Sequence, residues 1–305
     1  MNFQSSLILA AAAALISSAS ATITMDWVTI GNVNNAADSL TGYGAVDHAY
    51  QIGKYEVTNA QYGEFLNAKG QTNANGIYNA SMSSYGITQS GNSGSYTYSV
   101  TGALANRPVV QVSWFDAARF ANWLGNGQGS ADTETGSYNL MDATTGIIMV
   151  NPGAKAWIPT EDEWYKAAYY NPSTTSYSLY PNGQNTITTA DANYSTSASK
   201  NVGSYSADSS SYGTFDQGGN VWEWNDAVIS GSLRGKRGGC WNNFNHLDDV
   251  GLMSTSRFAG SDPTTENSLA GSIAGFRLAS ASVPEPTSIL MTMFAGAVML
   301  IRRKR

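Results

Sequence analysis

Three stretches of the chain have the hydrophobic period of an α-helix, and each begins at a residue suited to capping. Thr58 and Gln61 predict a capping box at the start of the first helix. Ser113 precedes the second helix, and residues 160–163 (TEDE) form a capping box for the third. The predicted buried faces consist of Tyr62, Phe65 and Leu66, of Ala117, Phe120, Ala121 and Leu124, and of Trp164, Ala167 and Ala168. Gly125 is expected just beyond the second helix.

Strand patterns are shorter than the helical ones. Residues 49–55 (AYQIGKY) alternate, and residues 109–112 (VVQV) and 146–150 (GIIMV) are rich in β-branched or apolar side chains. A hairpin is expected around residues 95–98 (SYTY). The rest is mostly polar loop with too few aliphatic residues for a second core, so we predict one domain with surface excursions. The two longest of these loops are residues 70–106 and 171–213.

The N-terminal residues have the pattern of an export signal. Residues 7–16 are apolar, and Ala19 and Ala21 are small residues of the kind that signal peptidase accepts. We therefore expect residues 1–21 to be a signal peptide cleaved after Ala21, although residues 1–4 (MNFQ) lack the usual basic side chain.

The C-terminal residues have the pattern of an anchor or a processed tail. Residues 283–286 (VPEP) would break a helix, residues 289–301 are apolar, and residues 302–305 (RRKR) close the chain. The apolar run is shorter than the roughly 20 residues that span a bilayer. The basic end would stay on the cytoplasmic side.

The order of Pro-Glu-Pro, apolar run and basic end resembles the PEP-CTERM sorting signal of diderm bacteria. This resemblance implies that an exosortase recognises and removes residues 283–305 after a transient association with the membrane. The mature protein would then be delivered to the cell surface or the extracellular space. Retention of the tail as a plain membrane anchor is the alternative.

The composition is that of a globular domain with a weakly charged surface. Hydrophobic residues make up 42% of the 305 residues, which is enough for a buried core, whereas charged residues make up only 12%. The formal net charge of -6 argues against a nucleic-acid partner, which would need a basic surface. Cys240 is the only cysteine, so no disulfide can form within the chain.

Six sequence blocks, in this order, resemble one family. They are residues 54–62 (KYEVTNAQY), 107–114 (RPVVQVSW), 158–164 (IPTEDEW), 219–224 (GNVWEW), 237–241 (RGGCW) and 275–278 (GFRL). The family is that of the formylglycine-generating enzyme, or sulfatase-modifying factor, and the resemblance covers nearly all of residues 26–280. It implies a single α+β domain over residues 22–282, related to C-type lectins and low in regular secondary structure.

A turn between two acids is a candidate calcium site. Asp216 and Glu223 flank a glycine-bearing segment, and calcium prefers several oxygen ligands at once. The resemblance implies a site formed by the Asp216 and Glu223 side chains with the Gly219 and Val221 carbonyls. The alternative is that both acids only accept backbone hydrogen bonds in a tight turn.

A second calcium site of the family maps only in part onto this sequence. Asn193 and the Tyr194 carbonyl match two of its ligands. The segment that supplies the others reads SASK at residues 197–200 and contains no acid.

Three roles are open to Cys240: nucleophile, metal ligand or small buried side chain. The family's oxidases hold copper between two cysteine thiolates, the soft ligands that copper(I) selects. Those two positions correspond here to Asn243 and Asp248, whereas Cys240 stands where the family usually has serine. Only Arg237 is near enough in sequence to lower the pKa of the thiol. We therefore expect no copper site and a packing role for Cys240, which is nevertheless the one candidate catalytic residue.

Other catalytic patterns are missing from the sequence. It contains no Gly-x-Ser-x-Gly elbow and no phosphate-binding glycine loop. The two histidines, His48 and His246, are far apart, and residues 246–249 (HLDD) lack metal-ligand spacing. Helix capping is expected to account for Glu161 and Glu163.

The region after the Gly-Gly pair also resembles the ligand-binding end of family members that have become receptors. In those relatives, variable residues between Trp and Gly-Phe-Arg are displayed on the scaffold. Asparagine and aromatic side chains on a rigid frame suit a polar ligand, such as a glycan or a protein, and plain loop surface is the alternative. The tryptophans at 222, 224 and 241 are expected in the core. The matching display positions are Asn242, Asn243, Phe244, Asn245, His246 and Phe258.

Three functional hypotheses follow from the sequence. The first is an exported, calcium-binding protein of this family that binds a surface ligand and lacks the copper oxidase chemistry. The second is an oxidoreductase of the formylglycine-generating type with a modified site that uses Cys240 or a different metal. The third is a structural component of an extracellular matrix.

Overall fold

Two four-stranded sheets and three helices form most of the regular structure in the computed structural model, which describes residues 22–205, 209–242, 249–260 and 273–281. The expected signal peptide, residues 1–21, and the expected sorting tail, residues 283–305, lie outside the described residues. Within the described ranges, no helix is both long and apolar enough to cross a bilayer.

The helices are α1 (Asn59–Lys69), α2 (Trp114–Gly125) and α3 (Glu161–Tyr169). The strands in the first half of the chain are β1 (Trp27–Ile30), β2 (Tyr50–Gly53), β3 (Ile87–Ser90), β4 (Thr97–Val100) and β5 (Ala156–Trp157). Those in the second half are β6 (Tyr170–Asn171), β7 (Ser176–Tyr177), β8 (Trp222–Ser230), β9 (Leu233–Arg237), β10 (Phe258–Gly260), β11 (Ala274–Gly275) and β12 (Ala279–Ala281).

All three predicted helices are confirmed, each with a complete capping box. Thr58, Ser113 and Thr160 each accept a hydrogen bond from the backbone N–H three residues later. The expectation that Gly125 follows α2 is wrong, because Gly125 is the last helical residue and Asn126 keeps a right-handed conformation. The first left-handed residue comes later, at Gly127 with φ of 101°.

The first sheet has the strand order β1-β2-β12-β5 and is antiparallel throughout. Its centre is the predicted strand at residues 49–55, observed as β2, where Tyr50 and Ile52 are fully buried. Ala279 of β12 pairs with Ile52 on one side and with Trp157 on the other. The sheet therefore joins the first and last described strands of the domain.

The second sheet has the order β10-β9-β8-β11, in which β11 runs parallel to β8 and the other pairs are antiparallel. The β8 strand begins with four buried residues, Trp222, Glu223, Trp224 and Asn225, and becomes exposed toward its end. The indole N–H of Trp224 donates to the Val112 carbonyl at 2.9 Å. The start of β8 is therefore fixed deep in the domain.

Two of the strand predictions are wrong. Residues 109–112 are buried but form no strand, since Gln111 has a φ of 65° that interrupts the extended backbone. Residues 146–150 also form no strand, and Ile147 and Met149 are exposed. Residues 109–112 are apolar and lie in the core without forming a strand. Residues 146–150 are apolar residues of a loop that pairs with no strand. The hairpin expected near residues 95–98 is confirmed as β3–β4, with Thr97 and Tyr98 in its second strand.

Aromatic rings from three sequence blocks form the centre of the main core. Phe120 of α2 has its ring centroid 6.0 Å from Tyr62, 5.5 Å from Phe65 and 5.4 Å from Phe276. All four rings are fully buried. Truncation of such a ring to alanine typically costs about 3–5 kcal/mol. Phe276 lies between β11 and β12, so this packing also sets the position of the neighbouring residue, Arg277.

Arg277 connects the two sheets through a buried ion pair. Its Nε and Nη2 donate to the two carboxylate oxygens of Glu223, each at 2.6 Å, and both side chains are fully buried. Its Nη1 donates to the Gly53 carbonyl at 2.9 Å and its Nη2 to the Phe215 carbonyl at 2.8 Å. One side chain thus joins the end of β2, the turn before β8 and β8 itself.

Replacement of Arg277 by methionine is expected to lower the free energy of unfolding by about 3–5 kcal/mol, because it leaves the Glu223 carboxylate buried without its partner. Guanidinium unfolding followed by tryptophan fluorescence, in the presence of a chelator, measures this change. The double variant Glu223→Gln/Arg277→Met should lose less than the sum of the two single losses. Additive losses would mean that the two residues do not act as a pair.

Candidate functional site

Glycines allow the turn before β8 to pack closely against its neighbours. Gly219 has a φ of 88°, and a Cβ there would lie 2.5 Å from the Asn193 carbonyl oxygen. Gly238 has a φ of 93°, and a Cβ there would lie 2.8 Å from the Gln217 carbonyl oxygen. Both positions exclude any side chain. The blocks at residues 219–224 and 237–241 are therefore parts of one packed turn.

The predicted calcium ligands lie in this turn. Asp216, Gly219 and Val221 precede β8, Glu223 is its second residue, and the Asp216 and Glu223 side chains are almost fully buried. Asp216 Oδ2 accepts a hydrogen bond from the Gly203 N–H at 2.5 Å. Burial raises the pKa of Asp216 to about 6. The turn therefore holds a carboxylate whose charge is only partly compensated by the protein.

Glu223 is more fully satisfied, yet it keeps acceptor capacity. Its Oε2 accepts from Arg277 Nε and from the Trp164 indole N–H at 2.7 Å, whereas its Oε1 accepts from Arg277 Nη2 alone. A carboxylate has about four lone-pair positions, two on each oxygen. One position on Oε1 is thus left for a further donor or a cation. The alternative, in which backbone N–H groups donate to the two acids, applies to Asp216 and not to Glu223, whose donors are side chains.

A third acid, Glu56, belongs to the same cluster. It lies just after β2, is 1% exposed, and interacts electrostatically with Asp216 and Glu223. Neither of its carboxyl oxygens has a donor. Burial, followed by the negative charges of Asp216 and Glu223, raises the pKa of Glu56 well above its usual value. Within the described ranges, no three His, Cys, Asp or Glu side chains form a group that could hold a metal ion. A cation at this turn would therefore need backbone carbonyl ligands as well.

The residues of the second predicted calcium site are engaged in internal hydrogen bonds. The Asn193 side-chain amide donates to the Ala198 carbonyl and to Asn220 Oδ1, and its own Oδ1 accepts from the Thr196 hydroxyl at 2.7 Å. The Tyr194 side chain is buried and donates to the Ile187 carbonyl. These contacts use the Asn193 side chain to close the loop onto the β8 turn. They leave it poorly suited to binding a cation.

Cys240 is a buried thiol without an activating neighbour. It is 2% exposed, and its Sγ donates to the Asn242 carbonyl at 3.2 Å. Burial raises the pKa of the thiol to about 11, the opposite of what a nucleophile or a copper ligand needs. Arg237, the one basic residue considered near it in sequence, bonds instead to Glu161 at 2.7 Å. The environment of Cys240 is that of a packing residue.

Glu161 does more than the sequence indicated. Helix capping was expected to account for both Glu161 and Glu163. It does so for Glu163, which accepts a hydrogen bond from the Thr160 N–H. It is wrong for Glu161. Glu161 Oε1 accepts from Arg237 Nε, and its two oxygens accept from Arg257 at 2.7–2.9 Å. Glu161 is buried, so the network of ion pairs fixes α3 to the end of β9 and to the approach to β10.

Two of the predicted ligand-binding residues, Asn242 and Phe258, lie within the described ranges and are half-buried. Phe258, half-buried in β10, packs on Trp222 with a ring distance of 4.6 Å, and the half-buried Asn242 accepts from Cys240 beside it. The other four, Asn243, Phe244, Asn245 and His246, lie outside the described residues, as does Asp248. Trp222, Trp224 and Trp241 are all buried, as expected for core residues. The Trp222–Phe258 pair is thus an aromatic contact between β8 and β10.

Sequence reasoning missed Glu56 and Arg277 as members of the site. Both stand in the blocks KYEVTNAQY and GFRL, whose positions along the chain are far from the turn before β8. Their signal was a charged residue between apolar or aromatic neighbours, Tyr55 and Val57 for Glu56 and Phe276 and Leu278 for Arg277. A buried charge in such a position is unusual unless it is paired.

The chain matches one family description and several curated proteins. The description "Sulfatase-modifying factor enzyme 1-like domain" matches residues 22–282. Hercynine oxygenase of Mycobacterium tuberculosis is 28% identical over 192 residues, which is 59% of this chain and 38% of that protein. Serine/threonine-protein kinase pkn1 of Chlamydia pneumoniae is 25% identical over 230 residues, 69% of this chain and 31% of that protein. The chain thus spans less than two fifths of the length of these relatives.

Solved structures show the same fold. The crystal structure of CarF has a TM-score of 0.55 at 23% identity, covering 85% of this chain and 99% of that chain. Treponema denticola variable protein 1 has a TM-score of 0.56 at 22% identity, covering 87% and 98%. At these identities the likeness concerns the fold alone. It supports the single domain of mixed helix and strand described above.

Cys240 is expected to resist thiol reagents in the folded protein. Because the thiol is buried and its pKa is about 11, a disulfide reagent at pH 7.5 should label less than a tenth of an equivalent within an hour. Unfolding in guanidinium should release one full equivalent. Cys240→Ser, which gives no signal in either state, is the control. Rapid labelling of the folded protein would show an accessible thiolate and contradict the packing role.

Proposed function

Since the chain belongs to the sulfatase-modifying factor enzyme 1-like family, we propose that it uses this scaffold for binding at the cell surface rather than for thiol oxidation. The observation that carries this proposal is the state of Cys240, a single buried thiol with a raised pKa. Copper(I) in this family needs two thiolates, and the chain has one cysteine. The donor set does not fit copper.

The ligand surface that we propose lies around the Trp222–Phe258 pair and Asn242. It is supported by a rigid base, because Trp222 starts the buried part of β8 and Phe258 belongs to β10 of the same sheet. Half-buried aromatic and amide groups on such a base suit a polar ligand, a glycan or an extracellular protein. Residues 243–246 (NFNH) extend the same chemistry in sequence.

Export and sorting remain parts of the same proposal. The sequence patterns of residues 1–21 and 283–305 support delivery through an exosortase-type system to the surface or the extracellular space of a diderm bacterium. Such a location fits a binding or matrix role. If the ligand is a component of an extracellular matrix, the protein would itself become part of that matrix.

Calcium is the proposed structural cofactor at the turn before β8. Asp216 has a partly compensated carboxylate, and Glu223 keeps one free acceptor position on Oε1. The Gly219 and Val221 carbonyls of the same turn would complete an all-oxygen ligand set. Calcium would supply charge compensation and hold the turn, with no part in a reaction.

The enzymatic alternative is tested by incubating the mature protein with copper(I), oxygen and a peptide containing Cys-x-Pro-x-Arg. We expect no aldehyde product above the rate without protein, because one buried thiol cannot form the two-thiolate site. Mass spectrometry detects the product. Aldehyde formation that Cys240→Ser abolishes would establish the oxidoreductase, and binding of an isolated glycan or matrix extract in the same preparation would support the proposed role.

Calcium is tested by its effect on thermal unfolding. Addition of calcium to chelator-treated protein should raise Tm by about 5 °C or more at concentrations well above the dissociation constant. Asp216→Asn should reduce the increase, because the turn loses a charged ligand. An unchanged Tm in the wild-type protein, with no heat of binding by calorimetry, would contradict a calcium site at this turn.

A further inference from the structure

The loop between β1 and β2, residues 31–49, is attached to α3 near both of its ends. At the start of the loop, the Lys166 side chain donates to the Asn32 carbonyl at 3.0 Å. At the end of the loop, His48 Nε2 lies 2.9 Å from Glu163 Oε1. Both attachments therefore use a basic side chain that can gain or lose a proton.

Lys166 is fully buried and has no carboxylate partner among the described residues. A buried lysine without such a partner is rare. Burial lowers the pKa of Lys166 to about 8. The Tyr212 hydroxyl donates to Asn32 Oδ1 at 3.0 Å and stays neutral, because burial raises its pKa. The acids of α3 and of the loop all bond to other groups: Glu161 to Arg237 and Arg257, Asp162 to the Gly44 N–H, Glu163 and Asp47 to His48, and Asp38 to Tyr165.

His48 has the opposite surroundings. Its half-exposed ring lies between two carboxylates, with Nδ1 2.8 Å from Asp47 Oδ1 and Nε2 against Glu163. The hydrogen bond to Glu163 outweighs the effect of burial and, together with that to Asp47, raises the pKa of His48 to about 9. The ring of Tyr50 packs 5.8 Å from that of His48, and burial raises the pKa of Tyr50, so it is uncharged. Protonation thus strengthens the attachment at His48, whereas it leaves a buried charge at Lys166.

The two groups respond to pH with opposite signs. The folded protein holds the His48 proton more tightly than the unfolded chain, so His48 stabilises the fold at low pH and this stabilisation is lost between about pH 6.5 and 9. The folded protein holds the Lys166 proton less tightly, so Lys166 destabilises the fold while it is charged. That cost disappears between about pH 8 and 10.5.

We propose that Lys166 and His48 form an opposed pair of pH-responsive ties between the β1–β2 loop and α3. Acid favours the tie at His48, at the end of the loop, and alkali favours the tie at Lys166, at its start. The loop forms one wall of a cleft of about 550 Å³, which is lined by Asn34 of the loop and Asp162 of α3, among others. The pH of the surroundings therefore selects the end at which this wall is held more firmly.

The test compares the Tm of single variants with that of the wild-type mature protein from pH 6 to 10.5. Lys166→Met removes the buried charge and should raise Tm by about 5 °C at pH 6.5, an increase that disappears near pH 10.5. His48→Gln should lower Tm by about 2 °C at pH 6, a loss that disappears above pH 9. Lys155→Met, at an exposed lysine, is the matched control, and its difference from the wild-type protein should not vary with pH.

The pH dependence of each difference decides the outcome. If the difference for Lys166→Met or for His48→Gln stays constant across this range, as for the control, the opposed pair is overturned. If Lys166→Met does not fold, nuclear magnetic resonance of the wild-type protein labelled with ¹³C at the lysine Cε follows the same titration. A midpoint near pH 8 for Lys166 is expected, and one above pH 10 would contradict the proposal.

Discussion

The buried ion pair between Glu223 and Arg277 is the interaction on which the rest of the structure depends. It lies between the two sheets, and the same guanidinium bonds to carbonyls at the end of β2 and in the turn before β8. A buried pair stabilises a fold only when its remaining hydrogen bonds are satisfied. Here Trp164 donates to the carboxylate and the guanidinium donates to three backbone carbonyls, which leaves one acceptor position on Glu223 Oε1. The turn that bears the candidate site is positioned by this pair.

The sequence predicted the helices well because their signals are local. A capping box and an apolar stripe involve residues within one or two turns, and Thr58, Ser113 and Thr160 all act as predicted. Strands depend on partners elsewhere in the chain, so the apolar segments 109–112 and 146–150 were assigned wrongly. The α+β class and the single domain came from six short blocks in one order, and the structure has both.

The site was only partly predictable for the same reason. Asp216 and Glu223 are seven positions apart and were identified together, whereas Glu56 and Arg277 join them only through tertiary packing. The role of Glu161 was missed because its partners, Arg237 and Arg257, lie about 80 to 100 positions later. The sequence showed charged residues next to apolar or aromatic neighbours. Such positions indicate that a charge is paired but do not identify its partner.

In the proposed function the chain keeps the scaffold of the family without copper-dependent oxidation. Gly219, Gly238 and the buried tryptophans hold the turn and the base of the proposed ligand surface, while Cys240 is buried among them. The most direct measurement is competition for copper(I) with a chromogenic chelator. The account predicts that the folded protein removes no copper from the chelator at equal concentrations. Removal of one equivalent by the wild-type protein, and none by Cys240→Ser, would contradict it.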